Sequence, residues 1–283
     1  MNADIHTIYE SDFYRILDFK CRCTDCKTSK PEYSNSFCIS FVRKGNFLIN
    51  IFRNSLDTYN GCVLLSKPGC EKTVTHIHTI PDECTIFDFK QEFYQQLLEE
   101  YGALKYLSDS DLHATLLKTH PDTELLHFKI LQTVQQQPEK LLIDSLVIGF
   151  VQATLNNIAD YRVDPNITGK LKSNHLTTIE RAKEYITHHF TRDISLQELA
   201  QYCYVSPFHF SRIFKTLTGY SPHQFLLQIR LKNTELLLRN TSLSVSDIAY
   251  SSGFNSIEHF ANAFLRKYKS APSVFRAGSK VAG

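Results

Sequence analysis

The stretch Ser206-Pro207-Phe208-His209-Phe210-Ser211-Arg212-Ile213-Phe214-Lys215 decides the fold. Serine followed by proline opens a helix: the hydroxyl accepts from a free amide of the first turn, and proline at the first position loses no bond there. Behind it Phe210, Ile213, Phe214 and Leu217 recur at three- and four-residue steps, as on a helix buried along one side. Phe208, Ser211, Arg212 and Lys215 are left pointing outward near the helix start. Upstream, Ser195 with Glu198 three residues on forms a capping box, and Leu196, Leu199 and Ala200 turn inward. Two helices joined by a turn of about four residues make a helix-turn-helix over about 195–217.

Fifty residues on, the pattern returns. Cys203, Tyr204, Ser206, His209, Phe210, Phe214, Pro222 and Phe225 match Gly253, Phe254, Ser256, His259, Phe260, Phe264, Pro272 and Phe275. Leu199-Ala200 matches Ile248-Ala249 with a one-residue slip in the turn, so a second unit covers about 244–268. A solenoid needs at least ~3 units, so two units joined by one helix argue for a closed bilobed domain. That helix, His223–Arg239, would be about 25 Å long. It could set the two second helices in successive major-groove segments about 34 Å apart on one face of a duplex. There Arg212 can donate two parallel bonds to guanine, Ser211 can bond either way, and Phe208 can lie against a thymine methyl. His209 and His259 each precede an inner phenylalanine and read as packing side chains rather than base readers.

Charge divides the chain at the same place. From Lys170 onward there are 15 basic and 7 acidic residues, against 16 and 22 before it, although the net charge of the whole is only +2. The C-terminal part alone therefore suits a polyanion. Apolar residues make up 42% and charged residues 21%, enough for a sizeable core and against a disordered or fibrous chain. No apolar run approaches the ~18 residues of a membrane span. The start, Met1–Tyr14, lacks a signal-peptide pattern, so a cytoplasmic location is expected.

Before Lys90 the pattern is that of short strands. Phe37–Val42 and Phe47–Phe52 flank Gly45-Asn46, a hairpin signal, and Cys62–Leu65, Val74–Ile77 and Thr85–Phe89 follow with turns at Gly61 and Pro68-Gly69. After it, Glu92–Tyr101, Thr123–Gln136 and Leu141–Ile158 have helical periodicity. The stripe Ile143, Leu146, Val147, Phe150, Val151 and Leu155 reads equally as core against a barrel or as a dimer seam. The fold class is thus α+β and multidomain: a β-barrel over 1–90, helices over 91–160, a linker over 161–174, and an all-α tandem helix-turn-helix domain over 175–276.

The quoted stretch, with Gly219-Tyr220-Ser221-Pro222, Arg230-Leu231, Ile248-Ala249, Gly253-Phe254, His259-Phe260, Phe264, Pro272 and Phe275-Arg276, resembles the AraC/XylS family of bacterial transcription regulators. The resemblance spans 177–276. It implies that Phe208, Ser211 and Arg212 reach bases of one half-site and that Ile257, Glu258, Ala261 and Asn262 occupy the corresponding positions of the second. It departs from the family pattern at Leu265, usually lysine, at Lys269, usually glycine, at Ala271, usually serine, and at Asn262, where arginine is frequent. The expectation is that the Arg212 helix dominates specificity, while Lys215 and, in the second unit, Arg266, Lys267 and Lys269 hold phosphate. The likeness further implies a cupin-like effector barrel, a homodimer, double-stranded DNA and RNA polymerase as partners, and activation as the usual outcome.

Two constellations in the N-terminal half bear on an effector. His76-Ile77-His78 with Glu83 is similar to the His-x-His…Glu set of metal cupins, but lies after the second turn without a third histidine. Seven of the eight cysteines precede residue 85, and Cys21-x-Cys23-x2-Cys26 with Cys84 or Cys38 could supply four thiolates to zinc. Inert thiols come first, zinc second and a redox switch third. The reading is a sequence-specific, non-enzymatic transcription regulator sensing a small molecule, a metal or a redox change. The rival is a cupin metalloenzyme or a cysteine-dependent alkyl-transfer protein fused to the same DNA-binding domain. An architectural DNA protein without an effector does not account for the large N-terminal region.

Overall fold

The computed structural model describes residues 3–22, 28–51, 54–76, 81–136, 139–158 and 169–281. The chain divides into two units, Met1–His120 with Lys129–Glu180, and Pro121–Phe128 with Arg181–Gly283.

The first unit runs through β1 (Ala3–Glu10), β2 (Tyr14–Cys21), β3 (Glu32–Ser34), β4 (Phe37–Lys44), β5 (Asn46–Ile51), β6 (Asn54–Tyr59), β7 (Cys62–Ser66), β8 (Cys70–His76) and β9 (Glu83–Phe89). There follow α1 (Gln91–Tyr101), α2 (Lys105–Ser108), β10 (Ala114–Lys118), α3 (Pro121–Gln135) and α4 (Lys140–Asn156). The strands form two antiparallel sheets, ordered β1-β2-β9-β4-β7-β10 and β3-β8-β5-β6. Two-residue alternation supplies the apolar faces: Phe47, Ile49 and Ile51 of β5 point inward and join Phe19, Leu64, Val74 and Cys84 in one core.

Two features differ from the sequence expectation, and a third falls on one of its two open readings. Gly45-Asn46 makes no hairpin, because β4 and β5 lie in different sheets and only Gly45 separates them. With φ at +79° Gly45 turns the chain from one sheet to the other, and a Cβ there would stand 2.1 Å from Asp82 Oδ1. The strands also extend beyond 1–90: β10, inside the region read as helical, pairs with β7 through Ala114↔Ser66 to Lys118↔Cys62. Finally, the apolar stripe of α4, read equally as core or as seam, is buried as core within its own unit. Phe150 packs at a tilt against Phe87 with ring centroids 4.7 Å apart, and Ser11 Oγ and Tyr14 OH both donate to Asp144 at 2.8 Å.

After α4 the elements are all helical: α5 (Gly169–His189), whose residues up to Glu180 belong to the first unit, and then, in the second unit, α6 (Leu196–Tyr202), α7 (Pro207–Thr218), α8 (Pro222–Asn240), α9 (Val245–Ser251), α10 (Ile257–Tyr268) and α11 (Pro272–Val281). Helix α5 starts at Gly169, inside the segment expected to be linker, whose residues 161–168 lie outside the described ones. The internal repeat is visible in the packing. Phe210–Phe214 and Phe214–Phe225 have ring centroids 5.5 Å apart in each case; Phe260–Phe264 and Phe264–Phe275 lie at 5.6 and 5.3 Å. Each fully buried phenylalanine contributes about 1.5–3 kcal/mol of hydrophobic stabilisation.

The turns correct the register of the repeat. Val205 N–H donates to Ala200 O at 3.0 Å, and Phe254 N–H to Ala249 O at 3.1 Å. Tyr204, at φ 58°, is therefore the counterpart of Gly253, at φ 87°, and not of Phe254. The extra residue of unit two is Asn255, after the turn. Gly253 is demanded by its surroundings as well, since a Cβ would come within 2.6 Å of Phe190 O and 2.9 Å of Arg230 Nε. Arg230 fastens the first helix of this bundle to the middle one, donating to Phe190 O and Arg192 O at 2.8 Å each.

The first turns of α3, Pro121–Phe128, belong to this helical unit. Glu124 pairs with Lys183, both side chains at most 10% exposed, and Asp122 takes the ammonium of Lys267 at 2.7 Å. Nothing in the apolar periodicity of α3 signals that contact.

Candidate nucleic-acid interface

The two candidate reading helices are built alike. Both α7 and α10 are 12 residues long and start after a serine cap. Ser206 Oγ accepts from His209 N–H at 3.4 Å, and Ser256 Oγ from His259 N–H at 3.1 Å. Each buries two phenylalanines, Phe210 and Phe214 on α7 and Phe260 and Phe264 on α10, so helical spacing of about 100° per residue sends the same numbered positions outward. On α7 these are Phe208, Arg212 and Lys215; on α10 they are Glu258, Asn262 and Leu265, with Lys269 just past the end. All seven are exposed, Phe208 by 81% and Leu265 by 48%. Ser211 and Ala261, at matching positions beside the row, are half-buried, as is Ile257.

The connecting helix α8 has 19 residues, which gives a length of about 28 Å. Serine caps it too: Ser221 Oγ accepts from Gln224 N–H at 3.2 Å while Gln224 returns a bond to Ser221 N–H at 3.0 Å. The span is of the order of one turn of duplex DNA, about 34 Å.

Lys267 stands apart from the other basic residues expected to hold phosphate. It follows Phe260 and Phe264 at i+7 and i+3, so it lies on the inward side of α10, with its side chain 17% exposed and paired with Asp122. Burial pushes its ammonium down, an effect the Asp122 carboxylate opposes. Arg266 and Lys269 remain at the surface. The pairing depends on a carboxylate 145 residues earlier in the chain, which a reading of α10 alone cannot supply.

Glu258 carries a second feature that periodicity does not reveal. Ser256 Oγ donates to its Oε2 at 2.9 Å, and its own backbone N–H together with that hydroxyl holds the carboxyl below its ordinary range. Among the described residues no cation forms an ion pair with it.

In the first unit the sheets line a partly open cavity of about 210 Å³ bounded by Phe19, Phe47, Ile49, Leu64 and Ile86, with Lys72, His76 and Asp82 among its polar groups. His76 Nδ1 lies 2.6 Å from Asp82 Oδ2, and burial pushes the Asp82 carboxyl up to about 8. His76 thus meets Asp82 rather than Glu83, which pairs with Lys44 at 2.9 Å. His78, Cys23 and Cys26 lie outside the described residues. Cys21 and Cys84 are buried thiols, and burial raises the Cys84 thiol strongly, opposite to the shift that makes a thiolate reactive. Among the described residues no group of three or more His, Cys, Asp and Glu side chains is gathered to hold a metal ion. No described helix is long and apolar enough to cross a membrane.

Comparison with known proteins bears on the second unit. Residues 199–278 match a family described as a helix-turn-helix domain. The chain is 27% identical over 113 residues to the regulatory protein PocR of Salmonella typhimurium, covering 40% of this chain and 37% of that protein. It is 31% identical over 103 residues to the bifunctional transcriptional activator/DNA repair enzyme AdaA of Bacillus subtilis, covering 36% of this chain and 49% of that one. The chain thus spans less than half the length of either of these relatives. Among solved structures, the DNA-binding domain of AdpA in complex with a target DNA is similar at 28% identity and a TM-score of 0.36, covering 37% of this chain and 95% of that one.

Proposed function

We propose, for a chain whose C-terminal part is a tandem helix-turn-helix domain of the AraC/XylS type, that it regulates transcription by binding double-stranded DNA through α7 and α10 together. The observation that carries this is the pair of outward rows: two equal helices, each capped by serine, backed by phenylalanine and presenting positions 2, 6 and 9 to solvent. Arg212 donates to a guanine edge, Phe208 lies against a thymine methyl, and Lys215, Arg266 and Lys269 take phosphates. The cavity of the N-terminal unit is the effector site, taking a mostly apolar small molecule whose polar group meets His76 and Asp82. Effector binding alters promoter occupancy in a homodimer that recruits RNA polymerase, and the chain itself acts without catalysis.

The test is binding of the full chain to duplexes of defined sequence across a range of salt. Arg212→Ala should weaken binding about tenfold or more on duplexes with the preferred base and little on those without it. Lys215→Ala should weaken all sequences alike and lower the salt slope by about one unit. Uniform loss with Arg212→Ala on every sequence would remove Arg212 from base reading.

A further inference from the structure

The two reading helices have the same scaffold but opposite chemistry at matching positions. Where α7 presents Phe208 and Arg212, α10 presents Glu258 and Asn262, and Lys215 is answered by Leu265. A carboxylate facing a phosphate-rich surface is repelled unless it meets a hydrogen-bond donor, so Glu258 needs a specific reason to sit there. The Ser256 hydroxyl at 2.9 Å and the backbone amide fix it in one position at the helix start and keep it ionised.

We infer that Glu258 and Asn262 form a base-reading pair that selects cytosine and adenine in the second half-site. An ionised carboxylate has acceptors only. In the major groove, cytosine offers the N4 amino donor, whereas adenine sets its N7 acceptor beside its donor and guanine presents acceptors alone. Asn262 carries both a donor and an acceptor, the pattern that meets adenine at N7 and N6. Four residues separate the two, about 6 Å along the helix, or roughly two base steps of 3.4 Å. Ala261, half-buried beside them, leaves room for a neighbouring base pair, and Leu265 adds apolar contact in place of a phosphate-binding lysine. The operator is therefore asymmetric: a guanine and thymine element under α7, and a cytosine and adenine element one turn away under α10. This rests on the proposal that both helices enter DNA, and it assigns the second helix a reading role rather than mere phosphate anchorage.

The experiment is selection of duplexes from a randomised pool by the full chain, with wild type, Glu258→Gln, Asn262→Ala and Arg212→Ala run in parallel. Wild type should enrich cytosine at one position and adenine within about two steps of it. Glu258→Gln should change the cytosine to adenine at that position alone, by about tenfold in relative enrichment, since glutamine pairs with adenine. Asn262→Ala should relax only the adjacent adenine. Retention of the Arg212-dependent guanine by Glu258→Gln shows that this variant is folded. If that guanine is retained and no position responds to Glu258→Gln or Asn262→Ala, the inference is overturned while DNA reading by α7 stands. If wild type enriches no sequence at all, the DNA-binding proposal falls with it.

Discussion

Alanine in place of Gly253 should unfold the helical unit more readily than any surface substitution near it. The residue sits at φ 87°, where an L side chain is strained by about 1–2 kcal/mol. Its new Cβ would press on Phe190 O at 2.6 Å and on Thr191 O and Arg230 Nε at 2.9 Å. Two of these are backbone atoms with little freedom to yield, and the third is the guanidinium that bonds Phe190 O and Arg192 O. Hydrogen bonds to a charged group contribute about 1.5–3 kcal/mol. Strain and a weakened Arg230 clamp together cost about 3–5 kcal/mol, the range reserved for specific structural damage. In a unit of this size that lowers Tm by more than about 10 °C. Tyr204 occupies the same place in the first turn, yet is 83% exposed with its ring 5.0 Å from the Arg181 guanidinium. Tyr204→Gly should relieve left-handed strain while forfeiting a surface cation–π contact of about 0.5–1 kcal/mol, for a net change below about 1 kcal/mol. Thermal unfolding of the full chain by far-ultraviolet circular dichroism reads both. A Gly253→Ala loss smaller than that of Tyr204→Gly would refute the equivalence of the two turns and the crowding argument.

Glu124→Gln should destabilise the helical unit by up to about 3–5 kcal/mol, because it removes the carboxylate charge paired with the nearly buried Lys183. A Lys183→Met, Glu124→Leu double variant should recover most of that, and equal Tm for wild type and Glu124→Gln would count against the pair. Asp82, held at about 8 by burial, keeps a proton in the folded chain that an unfolded carboxyl loses above about 4. Its contribution is present in full below about pH 4 and is lost as pH rises toward 8. Asp82→Asn should therefore flatten the fall in stability over that window, and an unchanged slope in a Tm-against-pH series would show that Asp82 is ionised in the fold. Cys84 is buried with its thiol pKa raised, so Cys84→Ser should leave the number of fast-titrating thiols in native protein unchanged. Loss of one fast thiol would restore Cys84 as a reactive site.

The helical half was legible because its signals are local. Serine caps, proline starts and the three- and four-residue recurrence of Phe210, Phe214, Phe260 and Phe264 each act within one or two turns of helix, and they located α6 to α10 within a few residues. Phe208, Arg212 and Lys215 followed from the same periodicity, whereas Ser211, expected outward, is half-buried and Leu196, expected inward, is exposed. The side chains that depend on remote partners did not follow from it. Lys267 reads as a surface lysine until Asp122 arrives from another helix, and the pairing of Tyr204 with Gly253 emerges from backbone hydrogen bonds rather than residue likeness. The strand half was read less well for the same reason. Sheet membership is a long-range choice, so Gly45-Asn46 resembles a hairpin although its flanking strands diverge into separate sheets. Strand β10 was missed because it joins β7 from across two helices, and β1, with Ile5 exposed by 55%, shows little two-residue alternation of burial.

Whether α7 and α10 enter one duplex together can be read from a hydroxyl-radical footprint of the full chain on its selected duplex. Two protected patches are expected on one face of the DNA, about 34 Å apart, with the α7 patch weakened by Arg212→Ala and the α10 patch by Asn262→Ala. A single patch that is insensitive to Asn262→Ala, or protection spread evenly along the duplex, would contradict joint entry of the two helices.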